Sequence, residues 1–319
     1  MNHLVSNNRP IDAICVGTAV IDLLFRGVPW DKIGQQEMLY VEDSGIAVGG
    51  DATNEAKLLA RLGHKVQVAA RIGDDCFGEI YCSQMKQHGV DLSMVRIIPD
   101  SITCASAVMI EKNGERCFVT GSGETNVTRF SIDDVDVTAF DRARIVTFGS
   151  LFVHPNFSVE DSAKLLATAK SAGAITVADI SIAAGYTSEY LTEILPHVDY
   201  FLPNEEEARF YSAKNSAEEC AKTFVEQGAG CAVIKCGKNG CIIADSKGTQ
   251  EVRGYPTEAI DTTGAGDTFV GAFVSGLLQG LDPVDCVKFA NAAASISVKH
   301  LGACAGVESI EQVNQIWRQ

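Results

Sequence analysis

The segment DTTGAGDTFVGAF, residues 261–273, sets Asp261 and Asp267 on either side of a glycine-containing turn that opens onto an apolar run. Gly264 and Gly266, with Ala265 between them, let successive backbone amides converge in a concave nest. The helical spacing of TFVGAFVSGLL puts those amides at a helix N-terminus, where an anion is stabilised. Asp267 lies just inside the helix start. A carboxylate there can take a hydroxyl proton as the hydroxyl attacks a phosphoryl group, while the amides and a metal carry the transition-state charge. The same residues also fit a plainer reading, in which Asp267 complements the helix dipole and the glycines only turn the chain. Neither Gly-x4-Gly-Lys-Ser/Thr nor an early Gly-x-Gly-x-x-Gly is present, so any nucleotide must be held in another way.

A second glycine pair opens VGGDATNEAKLLARLG, residues 48–63. Gly49 and Gly50 would let a ligand touch the backbone, and Asp51 and Asn54 offer hydrogen bonds to hydroxyls. As pure structure, Asp51 or Thr53 would be an N-cap, with Ala56, Leu59 and Ala60 facing the core and Gly63 as the C-cap. Asp22 follows Gly17 in CVGTAVIDLL, beyond the expected end of a parallel strand, where α/β sheets place ligands. LPNEEEA puts Asn204 and Glu207 three apart, either as two oxygen ligands toward magnesium waters or as a capping box, which the spacing favours. VIKCGKNGCIIAD reads as strand, turn, strand; Lys235, Gly237 and Gly240 would line a nucleotide or simply build the turn. FANAAASISVKHLGACAG is rich in small residues, which permits close approach of either a ligand or another helix, with helix packing favoured.

The elements that must position these groups alternate. DAICVGTAVIDLL, KVQVAARIG, ARIVTFGS, AITVADIS, VDYFLPN and CAVIKCG read as strands, separated in several places by helical patterns such as ATNEAKLLARLG and SVEDSAKLLATAKSAG. That order predicts βαβ units and a parallel sheet. Residues 101–120 instead show two alternating runs around Lys112-Asn113-Gly114-Glu115, an antiparallel hairpin, and residues 33–48 have a similar irregular β character. Together they would form a small accessory sheet.

The 319 residues are 46% hydrophobic, enough to bury a large core. A formal charge of -15 argues against a nucleic-acid or anionic-membrane surface, though backbone amides still bind phosphate locally. No apolar run is long enough to span a membrane, and MNHLVSNNRP lacks signal-peptide character, so the expected location is cytoplasmic. The eleven cysteines are scattered through apolar runs and read as reduced core residues. The sequons at Asn126 and Asn156 carry no weight without a secretory signal.

Taken in order, GGDATNEAKLLARLG, Asn204-Glu205-Glu206-Glu207, KCGKNG and DTTGAGDTFVGAF resemble the ribokinase-like, or PfkB, family of carbohydrate kinases over nearly the whole chain. The texture is most similar to sugar kinases whose first signature reads Gly-Gly-Asp-Ala-x-Asn-Glu-Ala. The resemblance implies one α/β domain over residues 1–319, with a doubly wound, mostly parallel sheet flanked by helices. It also implies a small β-sheet lid, roughly residues 23–47 and 102–120, often shared across a homodimer. Asp267 would be the catalytic base and Gly264, Ala265 and Gly266 the anion hole. Asn204 and Glu207 would organise magnesium through water, Lys235, Gly237 and Gly240 would border ATP, and Asn291 would lie near the adenine. Sugar contacts would be Asp22, Gly49, Gly50, Asp51 and Asn54. Asp261 and Thr263, with backbone near Ser297 to Gly306, would help hold a potassium ion, as in relatives activated by a monovalent cation.

Two departures bear on the substrate. Ribokinases proper carry a lysine where this chain has Asp51 and a glutamate near Phe148-Gly149-Ser150. DISIAAGY lacks the arginine of ketodeoxygluconate kinases and many fructokinases. A sugar-phosphate substrate would call on Arg71 or Arg116. The leading expectation is therefore an ATP-dependent kinase acting on a primary hydroxyl of a sugar or sugar derivative. The alternatives are a nucleoside kinase of the same fold and a non-catalytic sugar sensor, while the missing dinucleotide fingerprint counts against a dehydrogenase.

Overall fold

The structure, a computed structural model, describes residues 8–112, 115–121, 129–183 and 185–318. Asn113 and Gly114 of the expected hairpin turn, Asn126, and Ala184 of DISIAAGY lie outside the described residues. The first third of the chain runs β1 (Ile11–Val16), β2 (Val20–Arg26), β3 (Asp43–Gly49), α1 (Asp51–Arg61), β4 (Val66–Gly73), α2 (Cys76–Gln87) and β5 (Val95–Ile98). There follow β6 (Ala105–Ile110), β7 (Arg116–Thr120), β8 (Ala143–Leu151), α3 (Val159–Ser171), β9 (Ile175–Ile180), α4 (Ser188–Ile194) and β10 (Tyr200–Phe201). The last third is α5 (Glu205–Ser212), α6 (Ala217–Glu226), β11 (Cys231–Lys235), β12 (Cys241–Asp245), β13 (Gly248–Val252), α7 (Ala265–Leu278), α8 (Pro283–Ser297) and α9 (Ile310–Trp317).

A nine-stranded sheet has the order β13-β12-β11-β10-β9-β8-β1-β4-β5. It is parallel from β5 to β11 and antiparallel where β12 and β13 join. Its inner strands β1, β4, β8, β9 and β11 are buried on both sides, as packing between two helical layers demands. In β1, Ala13 and Cys15 enter one core while Ile14 and Val16 enter the other. Leu58 of α1, Tyr81 of α2, Phe273 of α7, Phe289 of α8 and Val313 of α9 cover the first face. Leu165 of α3, Leu191 of α4, Tyr211 of α5 and Phe224 of α6 cover the second. Small residues serve helix packing as expected: a Cβ on Gly276 of α7 would come within 3.1 Å of Cys286 Cα in α8. Ala290, Ala292 and Ala293 of α8 are buried.

The strand order reverses between β1 and β8, leaving a crevice beyond their carboxyl ends. Above it stands the separate sheet β3-β2-β6-β7, the lid, in which β2 pairs β6 in parallel and the other pairs are antiparallel. DAICVGTAVIDLL is thus not one strand. It breaks at Gly17 into β1 of the large sheet and β2 of the lid, which moves Asp22 from a strand terminus into the lid itself. The lid accordingly begins at Val20, before the expected residue 23, and of residues 33–48 only Asp43 onward is strand. Among the described residues no helix is long and apolar enough to cross a membrane.

Candidate functional site

The turn before α7 has the expected backbone. Gly264 takes the N-cap position at φ 64°, ψ 14°, a left-handed conformation that glycine adopts without cost. A Cβ there would also lie 2.7 Å from Ala303 Cβ and 2.9 Å from Ala303 Cα. Thr268 N–H donates to Gly264 O at 2.8 Å, closing the first turn. Ala265 N–H is already used by Thr262 O at 3.2 Å, while among the described residues no backbone carbonyl takes the amides of Gly266 and Asp267. Of the expected Gly264–Gly266 set, the Ala265 amide is thus spent within the turn, while those of Gly264 and Gly266 have no backbone acceptor among the described residues. The open side of Gly266 faces Lys235 Nζ, 3.5 Å from where a Cβ would sit.

Asp267 joins two halves of the site. Asn54 Nδ2 donates to Asp267 Oδ2 at 2.7 Å, linking the start of α1 to the start of α7 across 213 residues of sequence. Burial pushes the Asp267 carboxyl above its ordinary value; the Asn54 hydrogen bond opposes this, Asp51 reinforces it, and Lys235 and Lys57 also oppose it. A base with an upward-shifted pKa is a stronger proton acceptor once ionised.

On the lid side, Asp51 is the first residue of α1, and Gly50, not Asp51 or Thr53, occupies the N-cap position. Its Oδ1 accepts from Thr18 N–H at 2.8 Å and Ala52 N–H at 2.6 Å. The glycine pair serves these close approaches: a Cβ on Gly50 would meet Thr18 O at 2.3 Å, and one on Gly49 would meet the Asp22 carboxylate. A Cβ on Gly149 would sit 2.8 Å from Asp51 Cγ, so the two departures from ribokinases, Asp51 and the 148–150 stretch, are neighbours in space. Asp22, raised to about 6 by burial against the pull of Lys57, points at the same region. Lys57 is itself buried, donates to Val48 O at 2.6 Å, and has its pKa lowered by burial.

On the opposite side of Asp267 lies a cleft of about 570 Å³. Asn204, Glu207, Lys235 and Asn291 line it, together with Gly237, Gly240, Ala265, Gly266 and Asp267 itself. The capping box at α5 is real: Glu207 N–H donates to Asn204 Oδ1 at 2.9 Å, and Asn204 N–H to Glu207 Oε2 at 2.7 Å. The same two residues still line the cleft, so the capping box does not withdraw them from it. Gly237 has open space on its Cα, whereas Gly240 at φ 93° packs on Val252 O and Gly254 N and is a structural turn. Asn291 spends its amide on Arg253 O and its oxygen on the Cys241 thiol, holding the cleft wall together.

Two buried carboxylates beside the site escaped the sequence reading. Asp179, at the end of β9, accepts from Ser150 N–H at 2.5 Å and approaches Lys235 Nζ at 3.9 Å. Burial raises it to about 7, with Lys235 opposing. Ser150 and Phe152 both carry positive φ, 49° and 75°, so the segment that reaches Asp179 is held in a costly conformation. Glu55, in the middle of α1, accepts from Thr147 Oγ1 at 2.6 Å, and burial, then the Asp179 charge, push its carboxyl well above the ordinary range.

The donor set suits magnesium in the cleft: Glu207 and Asp179 supply hard carboxylate oxygens, few enough that an ion would keep waters and phosphate oxygens. The expected potassium site does not fit. Asp261 Oδ1 accepts from Thr263 N–H at 2.8 Å and Thr263 Oγ1 at 2.6 Å, and its Oδ2 accepts from Gly302 N–H at 2.8 Å. Arg116 Nη1 adds a cation at 2.9 Å from Oδ1. Neither arginine considered for a sugar phosphate is free for one, since Arg71 pairs with Asp134 at 3.0 Å.

Residues 11–310 match the pfkB family carbohydrate kinase description. The chain is 29% identical over 284 residues to ribokinase of Haemophilus influenzae, covering 86% of this chain and 89% of that protein. It is 30% identical over 289 residues to ribokinase of Staphylococcus aureus, covering 88% and 91%. The structure of Arabidopsis thaliana ribokinase complexed with ribose and ATP shares the fold at a TM-score of 0.79 and 22% identity, over 98% of this chain and 99% of that one. The chain belongs to the pfkB family and is an ATP-dependent carbohydrate kinase.

Proposed function

We propose that the protein transfers the γ-phosphoryl group of ATP to a primary hydroxyl of an uncharged sugar, as a single ribokinase-like domain with its lid. Asp22, Asp51 and Asn54 accept and donate hydrogen bonds to the sugar hydroxyls and aim one of them at Asp267. Asp267 takes that hydroxyl's proton as its oxygen bonds to the γ-phosphorus and the bond to the β–γ bridging oxygen breaks, ADP leaving with the electron pair. The amides of Gly266 and Asp267, with Lys235, face the charge on the transferring group. Magnesium, organised by Asn204 and Glu207, would neutralise the phosphate oxygens. The nucleotide base would lie toward Gly237 and Asn291. Closure of the lid would exclude water, the competing acceptor.

The observation that carries this reading is the 2.7 Å bond from Asn54 to Asp267, which ties the carboxylate lining the cleft to the start of α1 beside Asp51. An uncharged substrate is supported by the excess of carboxyls around that pocket and by the engagement of Arg71 and Arg116 elsewhere. ADP release from ATP and magnesium should be stimulated by one or more neutral pentoses or hexoses, and much less by sugar acids or sugar phosphates. Turnover confined to anionic acceptors or to nucleosides would overturn the assignment.

The lid edges expose Ile46, Phe118 and Val119, an apolar surface that supports a homodimer formed through the lid.

A further inference from the structure

Arg116 connects the lid to the anion turn. It projects from β7, and its guanidinium gives Nη1 to Asp261 Oδ1 at 2.9 Å and Nη2 to Thr262 Oγ1 at 2.8 Å. Both partners of the ion pair are largely withdrawn from solvent, their side chains 19% and 8% exposed, so salt screens the pair weakly. Through its other bonds Asp261 also ties down Thr263, at the entrance to α7, and Gly302, in the segment whose next residue packs against Gly264. One carboxylate thus holds three pieces of chain in register: the lid strand, the turn and the 302–303 segment. Oδ1 is surrounded by three donors, one of them cationic. A dehydrated monovalent cation needs open oxygen lone pairs, and would here meet N–H groups and a positive charge.

We infer that Arg116 is a positioning residue, a built-in cation that fixes the 261–266 turn when the lid hairpin is docked and makes phosphoryl transfer independent of added monovalent cations. The inference rests on the kinase reading of the site. Docking the hairpin supplies the charge that Asp261 needs, so lid position and turn geometry are set by the same contact. A lid that lifts would withdraw Arg116 and leave a buried carboxylate short of its cation. The amides of Gly266 and Asp267 would then lose their alignment, at a cost to the chemical step rather than to nucleotide capture.

The test compares wild type with Arg116→Gln and Arg116→Lys in chloride salts of sodium, potassium, rubidium, caesium and tetramethylammonium at fixed ionic strength. Wild-type kcat should vary by less than about twofold across the salts, and R116Q should lose about tenfold or more in kcat with little change in KM for ATP. Millimolar guanidinium should restore part of that loss, and R116K should fall between the two, outcomes that a merely structural role would not produce. Several-fold activation of the wild type by potassium, or full kcat in R116Q, would overturn the inference. Amide exchange on the same proteins decides the latch without turnover. R116Q should lose protection together at residues 116–120, Thr263 and Gly302, while potassium chloride leaves the wild type unchanged. If no acceptor is phosphorylated the kinase reading fails by itself, and unaltered protection of Thr263 and Gly302 in R116Q would independently reject the latch.

Discussion

In the proposed mechanism Asn54 and Asp267 form the contact on which the chemistry turns, and its electrostatics make a signed prediction. The amide hydrogen bond favours the ionised carboxylate and opposes the upward push of burial. Asn54→Ala removes that opposition, so the Asp267 pKa rises further. Because the base acts only when ionised, the acid limb of kcat/KM should move to higher pH in N54A. Activity near neutrality should drop by about tenfold or more, as expected for a lost hydrogen bond to a charged group of about 1.5–3 kcal/mol. A pH profile checks it, and an acid limb that stays in place or moves down contradicts it. At this scale the sequence was readable where function and local structure coincide: a glycine turn, a helix start, a carboxylate just inside. Glu55 and Lys57 were not readable, because α1 is walled in by the sheet, the lid and α7 together, and that burial is a tertiary fact. Asp179 did leave a signal, a lone carboxylate ending the apolar strand AITVADIS at the edge of the crevice.

Elements carried the next level. The βα alternation in the sequence predicts the parallel sheet and most of its strands, because buried parallel strands are continuous apolar runs. It misplaces the break between β1 and β2, since VGTAV carries no charge and no proline to mark a boundary, while Gly17 turns the chain toward the lid at positive φ. Two-residue β10 is shorter than VDYFLPN suggests, and four-residue β5 has too little alternation to be read. The turn leading into α7 shows how an element fixes chemistry. Gly264→Ala places a side chain at φ 64°, costing about 1–2 kcal/mol for the left-handed backbone, and forces its Cβ onto Ala303. G264A should therefore melt lower and lose more in kcat than in KM for ATP, measured by calorimetry and steady-state kinetics. Wild-type melting and kcat in G264A would show that the turn's geometry is not needed.

The whole molecule combines a rigid sheet with a lid whose edges are apolar and exposed. Hairpin composition at 101–120 makes the lid legible in sequence. Its connection to Asp261 through Arg116 is not, because nothing local to either residue points to the other 145 positions away. A dimer through the lid should sediment as such at micromolar concentration and dissociate in Phe118→Glu or Ile46→Glu, with the melting of the large domain little changed. A monomeric wild type, or a dimer indifferent to both substitutions, would place the partner surface elsewhere.

In the proposed mechanism the acidic chain of charge -15 would meet a polyanionic donor through backbone amides and one or two lysines, with a single carboxylate left to accept a proton. Asp267→Asn isolates that last element. With ATP binding followed by titration calorimetry and phosphoryl transfer by rapid quench, D267N should bind ATP and magnesium within a few-fold of wild type and transfer phosphate at least about 100-fold more slowly. A D267N protein that transfers within about threefold of the wild-type rate would show that Asp267 is not the base.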